Sequence, residues 1–214
     1  MKNLLLVGDS IRMGYDKSVR KTLEGKVNVI FPQENCQFAA HVLRYFHEYL
    51  KDENGEKIKG EDINVVHWNA GLWDCLRLFE EDPHTPVDIY AYYIERLCVR
   101  IKKVCPNAHI IFATSTRVIS EKMSKDFKRY NEEIEKYNEA AVKVVKKYGF
   151  EVDDLYSVSA KLPEEAHSDA VHYYTPLGTE AFTNQVLSCV APALGMDEIP
   201  TYREDMYTDK PIGI

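Results

Sequence analysis

Short apolar runs alternate with longer stretches of helical period along this chain, and that alternation constrains its fold more than any other feature. Lys2 to Val7 contains Leu4-Leu5-Leu6-Val7, and Val27 to Phe31 is β-branched and closed by Pro32. Ile63 to Trp68 is almost continuously apolar, as expected of a strand buried on both faces. Ile110 to Thr114 and the brief Phe150 to Val152 follow. Between these runs, Ile11 to Leu23, Gln37 to Leu50, Val87 to Val104 and Lys122 to Tyr148 carry apolar residues at helical spacing, and Pro176 to Leu187 forms a last helix. Gly149 stands where a helix C-terminus favours glycine, and Asn54-Gly55 marks a turn. Strand–helix alternation of this kind predicts an α/β fold: a three-layer, flavodoxin-like, doubly wound five-stranded parallel sheet in the order 2-1-3-4-5.

At 214 residues the chain is long enough to bury a sizeable core, and one domain over residues 1–194 accounts for the patterned part. Residues 195–214 have no clear period and are rich in Pro, Tyr and Asp; this tail either packs on the domain or extends from it. A net charge of −7 argues against nucleic acid as a partner, and no apolar run is long enough for a membrane span. The first strand starts within a few residues of Met1, which leaves no room for a secretory leader. Cys36, Cys75, Cys98, Cys105 and Cys189 are odd in number and include no CxxC pair, so neither a disulfide framework nor a zinc site is expected, and a cytoplasmic location fits best.

In a sheet of this kind ligands bind beyond the carboxyl ends of the strands. Gly8-Asp9-Ser10 follows the first strand, Asn35-Cys36 the second, Trp68-Asn69-Ala70-Gly71 the third and Thr114-Ser115-Thr116-Arg117 the fourth. Near the far end stands Asp169-Ala170-Val171-His172. Taken singly, Ser10 reads as a helix N-cap, His172 as a structural histidine and Asp169 as a cap of a short turn. Together they supply the hydroxyl, imidazole and carboxylate of an acyl-transfer site.

Gly8-Asp9-Ser10 and the D-x-x-H segment Asp169 to His172 resemble the first and last blocks of the SGNH, or GDSL-type, hydrolase superfamily of esterases and acylhydrolases. Ile11 stands where many members have Leu, and the resemblance covers roughly residues 2 to 190. Pro32-Gln33-Glu34-Asn35-Cys36 and His67-Trp68-Asn69-Ala70-Gly71-Leu72 are similar to a bacterial branch of that superfamily. The resemblance implies Ser10 as nucleophile, His172 as general base and Asp169 as its orienting partner, with no metal and no cofactor. It also implies an oxyanion hole made by Ser10 and by groups from the second and third blocks. No glycine lies between Lys26 and Asn54, so the second-block N–H falls to Cys36, with Asn35 as the neighbouring option. In the third block Trp73 occupies the usual Asn position of G-x-N-D, and Asn69 is the candidate donor, with a turn-forming role as the alternative.

Arg12, Trp73, Arg117 and Tyr173 are candidate substrate-binding residues. The arginines suit a carboxylate or sugar hydroxyl, with solvation or ion pairing an equally good explanation, and the aromatics suit a sugar face, although aromatic residues at strand ends more often pack. The expected function is a serine esterase acting on small acyl esters, acetyl groups on carbohydrate being preferred because no long apolar lid is evident. A lipase or thioesterase on the same triad, and a binding module that kept the fold without turnover, are the alternatives. A nucleotide-binding flavodoxin-like protein lacks a GxGxxG or Walker pattern and leaves Asp169 and His172 unexplained.

Overall fold

The computed structural model describes residues 1–52 and 54–207. Its central sheet is parallel and has five strands in the order β2-β1-β3-β5-β7, which is 2-1-3-4-5 when only the strands of this sheet are counted. The strands are β1 (Lys2–Val7), β2 (Val27–Ile30), β3 (Ile63–Trp68), β5 (His109–Ala113) and β7 (Glu151–Asp153). Two short strands, β4 (Arg77–Leu78) and β6 (Phe127–Lys128), pair antiparallel in a separate ribbon. The helices are α1 (Ser10–Met13), α2 (Asp16–Thr22), α3 (Ala39–Tyr45), α4 (Val87–Val104), α5 (Asn131–Lys147), α6 (Leu155–Lys161) and α7 (Pro176–Ala193). They pack as α3–α4–α5 and as α2–α7–α6, one group to each face of the sheet.

The apolar runs form the middle layer because each strand is covered on both sides. Leu4, Leu5, Leu6 and Val7 are fully buried, and Trp68 packs edge-on against Phe112. Each such aliphatic side chain contributes about 1.5–3 kcal/mol by leaving water. One polar pair interrupts this layer. His67 of β3 and Asp153 of β7 lie on the same face, with Ala113 beside Asp153 in the intervening strand. His67 Nε2 and Asp153 Oδ2 are 2.9 Å apart, and Gln185 of α7 donates to Asp153 Oδ1 at 2.8 Å.

Three expected helices are shorter or broken, for local reasons. The segment expected as one helix over residues 11–23 divides at Gly14-Tyr15, where the Gly14 N–H turns to Ile11 O at 3.0 Å. In the segment from Gln37 to Leu50, Gln37 has φ +52° and Phe38 is extended, so helix begins only at Ala39 and ends as a 3₁₀ turn at Phe46–Glu48. The largest departure is Lys122 to Tyr148: helix begins at Asn131, whose side chain bonds both the N–H and the C=O of Val118, each at 3.0 Å. The residues ahead of it make β6 instead. Gly149, at φ +72°, ends α5 as the sequence suggests.

The first part of the tail lies on the domain. Tyr202 is buried and exchanges two 2.8 Å hydrogen bonds with the Asn184 side chain, and Lys21 Nζ donates to Met206 O at 2.8 Å. Residues 208–214 of the tail are outside the described residues. Among the described residues no helix is long and apolar enough to cross a membrane, and all five cysteines are unpaired.

Candidate active site

Ser10 is the first residue of α1, directly beyond the carboxyl end of β1. Asp9, not Ser10, is the N-cap: its Oδ1 accepts from the Ile11 N–H at 3.0 Å, which leaves the Ser10 hydroxyl free of a capping role. That hydroxyl is 2.8 Å from His172 Nε2, and His172 Nδ1 is 2.8 Å from Asp169 Oδ2. Ser10, His172 and Asp169 thus form one continuous hydrogen-bonded chain, although Ser10 and His172 are 162 positions apart in sequence.

The D-x-x-H segment builds its half of this chain locally. Asp169 Oδ1 accepts from the backbone N–H groups of Val171 at 2.7 Å and His172 at 2.8 Å, while Oδ2 faces the ring. Partial burial pushes the Asp169 carboxyl up, but these two N–H groups and the imidazole outweigh it and hold the acid below its ordinary value. The carboxylate is therefore ionised at neutral pH and favours Nδ1–H on the ring, leaving Nε2 to accept the Ser10 proton. Asp169 is 54% exposed and His172 16%, so the dyad sits at the protein surface.

The other side of Ser10 is built differently. The Cys36 N–H, expected as an oxyanion donor, is bonded to Gly8 O at 3.1 Å, and this pairing fixes the second-block loop against the first. The assignment of that donor to Cys36 is corrected accordingly. Its thiol is fully buried and pushed up by burial, which removes it as a nucleophile. The Gln37 N–H is likewise taken, by Asn35 Oδ1 at 2.9 Å, and the Ala39 N–H by the Asp74 carboxylate at 3.0 Å. Among the described residues the N–H groups of Gln33, Glu34, Asn35 and Phe38 have no acceptor, and Phe38, at the start of α3, is the candidate backbone donor of this loop. Ser10 N–H, at the start of α1, is the other.

Asn69 is buried at the end of β3, with its Oδ1 against Gly8, where a Cβ would stand 1.8 Å away. Only glycine allows this approach. Burial raises the Asp9 carboxyl, and the Asn69 amide opposes that shift, yet Asp9 Oδ2 and Asn69 Oδ1 have no close hydrogen-bond partner. Gly71, at φ +148°, brings the third-block loop close to Ser115, whose buried Oγ is also unpaired. Asp74 is buried and raised to about 7 by desolvation, against the opposing pull of the Ala39 N–H.

Three of the four candidate binding residues lie where substrate binding is not their evident task. Arg12 is 1% exposed and ion-paired to Asp16, and it donates to Pro32 O at 2.9 Å and Glu34 O at 2.6 Å. It ties α1 to the loop after β2, and its side chain has no free face for a ligand. Tyr173 is buried between His167 and Phe182, with its hydroxyl on Arg117 O at 3.0 Å, so it packs and does not form a sugar-facing wall. Trp73 is half-buried, edge-on to Phe127 and beneath the Arg129 guanidinium. Arg117 alone is exposed, and among the described residues its guanidinium has no hydrogen-bond or ion-pair partner.

Two residues near the site have no sequence signal of their own. Arg129 is buried, donates through Nε to Leu72 O and leaves Nη1 unpaired; its place inside a segment of helical pattern hid it. Tyr174 donates to Ser10 O at 2.5 Å and stacks on the His172 ring. Its position two residues beyond His172 was the only hint.

No protein-family model and no curated protein matches the chain. Solved structures do. The chain is similar to the lipase/acylhydrolase from Enterococcus faecalis, with TM-score 0.65 and 18% identity over 87% of this chain and 93% of that one. It is similar to the acetyl xylan esterase AlAXEase, with TM-score 0.67 and 16% identity over 88% and 99% of the two chains. A third is the acetylxylan esterase Axe2 from Geobacillus stearothermophilus, with TM-score 0.62 and 14% identity over 92% and 95%. The fold is thus the one these hydrolases share, the α/β fold that the SGNH resemblance implies.

Proposed function

We propose that this protein is a serine esterase that hydrolyses small acyl esters, acetyl groups on carbohydrate foremost, through Ser10, His172 and Asp169. The observation that carries this is the unbroken Ser10–His172–Asp169 hydrogen-bond chain, with 2.8 Å at each link. As His172 Nε2 takes the hydroxyl proton, Ser10 Oγ attacks the ester carbonyl carbon, and Asp169 stabilises the imidazolium that forms. The tetrahedral oxyanion is held by the Ser10 and Phe38 N–H groups, with Asn69 as the side-chain donor. Collapse breaks the ester C–O bond, and His172 returns the proton to the departing alcohol. Water then attacks the acyl-serine by the same route, giving the carboxylic acid and free Ser10.

Two features support a short acyl group and a soluble alcohol. The triad lies at an exposed rim, and the clefts of about 630 and 660 Å³ are lined by residues of α2–β2 and α4–α5, away from Ser10. Two of the similar structures are named as acetylxylan esterases. Longer acyl chains on the same triad are the second possibility, favoured by the likeness to the Enterococcus lipase/acylhydrolase. Hydrolysis of p-nitrophenyl acetate by the wild-type chain beside Ser10→Ala, in the presence of a chelator, tests the mechanism. Turnover that disappears in the variant is expected; equal rates in both proteins remove Ser10 as nucleophile. An acyl-length and acetylated-sugar series then separates acetyl from longer substrates.

A further inference from the structure

The geometry points to Tyr174 as a positioning residue for the Ser10–His172 pair, held in place by the C-terminal segment through Tyr207. This rests on the esterase mechanism proposed above. Helix α1 is only four residues long, and the N–H that a further α-turn would direct to Ser10 O, that of Gly14, bonds Ile11 O instead. The Ser10 carbonyl is met by the Tyr174 hydroxyl at 2.5 Å. The same tyrosine ring lies 4.8 Å from the His172 ring, with 20° between their planes. One side chain therefore fixes the backbone of the nucleophile and the plane of the base.

The ring is also wedged from behind. A Cβ on Gly14 would come within 2.8 Å of Tyr174 Cε1, so this glycine is what lets the ring lie flat against α1. Gly14 has φ −75°, a conformation open to any residue, so the space and not the backbone requires glycine here. The Tyr174 main chain is in turn held by the Tyr207 hydroxyl, which donates to Tyr174 O at 3.0 Å. Tyr207 is carried by the segment that Tyr202 and Asn184 fasten to α7 and Lys21 fastens to α2. The tail thus reaches the reaction centre through one tyrosine.

Three single variants of the full chain test this: Tyr174→Phe, which keeps the stacked ring, Tyr207→Phe, and Gly14→Ala. Labelling of Ser10 by a fluorophosphonate gives the reactivity of the nucleophile directly. Steady-state kcat and KM with p-nitrophenyl acetate, and melting temperature, complete the set. Tyr174→Phe is expected to slow labelling and lower kcat together, roughly tenfold, with KM unchanged, because misplacement acts on the reacting geometry. Gly14→Ala is expected to do the same while the protein remains folded, and Tyr207→Phe to act more weakly in the same direction. Wild-type labelling and kcat in both Tyr174→Phe and Gly14→Ala, or losses that follow melting temperature alone, overturn the positioning role while leaving the esterase mechanism intact. Absence of Ser10 labelling in the wild type, with turnover surviving in Ser10→Ala, removes the mechanism and the positioning role together.

Discussion

The two sides of Ser10 are built on opposite principles. On the His172 side, the Asp169 carboxylate and the His172 ring find hydrogen bonds of 2.7–2.8 Å, and the carboxylate is held below its ordinary pKa. On the other side, Asp9 Oδ2, Asn69 Oδ1, Ser115 Oγ and Arg129 Nη1 are buried without partners, and the Asp9 and Asp74 carboxyls are raised by burial. Unpaired buried polar atoms cost about 1–3 kcal/mol each, so their clustering is destabilising. A base and its orienting acid must be assembled before substrate arrives. Arg129 Nη1 and the Ser115 hydroxyl are donors, and donors aimed at charge that exists only during reaction need not be satisfied at rest; Asp9 Oδ2 and Asn69 Oδ1 are acceptors, which such a role does not explain.

The sharpest way to break this contrast is to remove one member from each side. His172→Ala is expected to lower kcat by about 10⁴-fold or more, because base and nucleophile act as one unit. Asn69→Ala is expected to lose about 10²–10³-fold and leave measurable turnover. Steady-state kinetics on both variants checks the ranking; equal losses would mean that the two sides act as one assembly. Cys36→Ala, by contrast, is expected to leave kcat within a few-fold, since its N–H stays on Gly8 O and its thiol is not used.

The next largest effect separates the two arginines. Removing one partner of a buried ion pair costs about 3–5 kcal/mol, so Arg12→Ala is expected to destabilise the protein by that order through the abandoned Asp16. Chemical denaturation reads it directly. Arg117→Ala is expected to leave stability within about 0.5 kcal/mol, as exposed substitutions do, and any effect it has falls on KM. A stable Arg12→Ala protein with altered KM would restore Arg12 as a binding residue.

These contrasts follow how much of the molecule was legible in its sequence. The strands were clear because burial on both faces leaves a nearly unbroken apolar run, as in Ile63–Trp68. The D-x-x-H segment was clear because its spacing brings carboxylate, two N–H groups and ring together within four residues. Arg12, Arg129 and Cys36 were not legible, since their roles depend on carbonyls and rings supplied by distant loops. The helical pattern from Lys122 was equally misleading: Arg129 sits in it but is anchored to Leu72 O, and helix begins only at Asn131, whose side chain is tied to Val118. Tyr174 shows the same dependence, as its hydroxyl is needed only because α1 stops short.

Asp74 offers the mildest test, in the carboxylate whose shift is opposite to that of Asp169. Its pKa is about 7 in the folded protein against an ordinary 3.8, so the folded state holds this proton more tightly than the unfolded chain. Unfolding therefore releases a proton between these values, and stability contributed by the protonated form is present below pH 4 and declines as pH rises toward 7. The slope is at most about 1.4 kcal/mol per pH unit. Asp74→Asn removes the titration while its side-chain oxygen can still accept from the Ala39 N–H, so α3 keeps its cap. The variant is expected to gain in melting temperature over wild type from pH 5 to pH 8, by about 2–4 °C for each kcal/mol, and to show no such gain near pH 4. A constant difference across that range would mean that Asp74 is ionised at neutral pH, like Asp169, and that the contrast between the two sides does not extend to the carboxylate beneath the second-block loop.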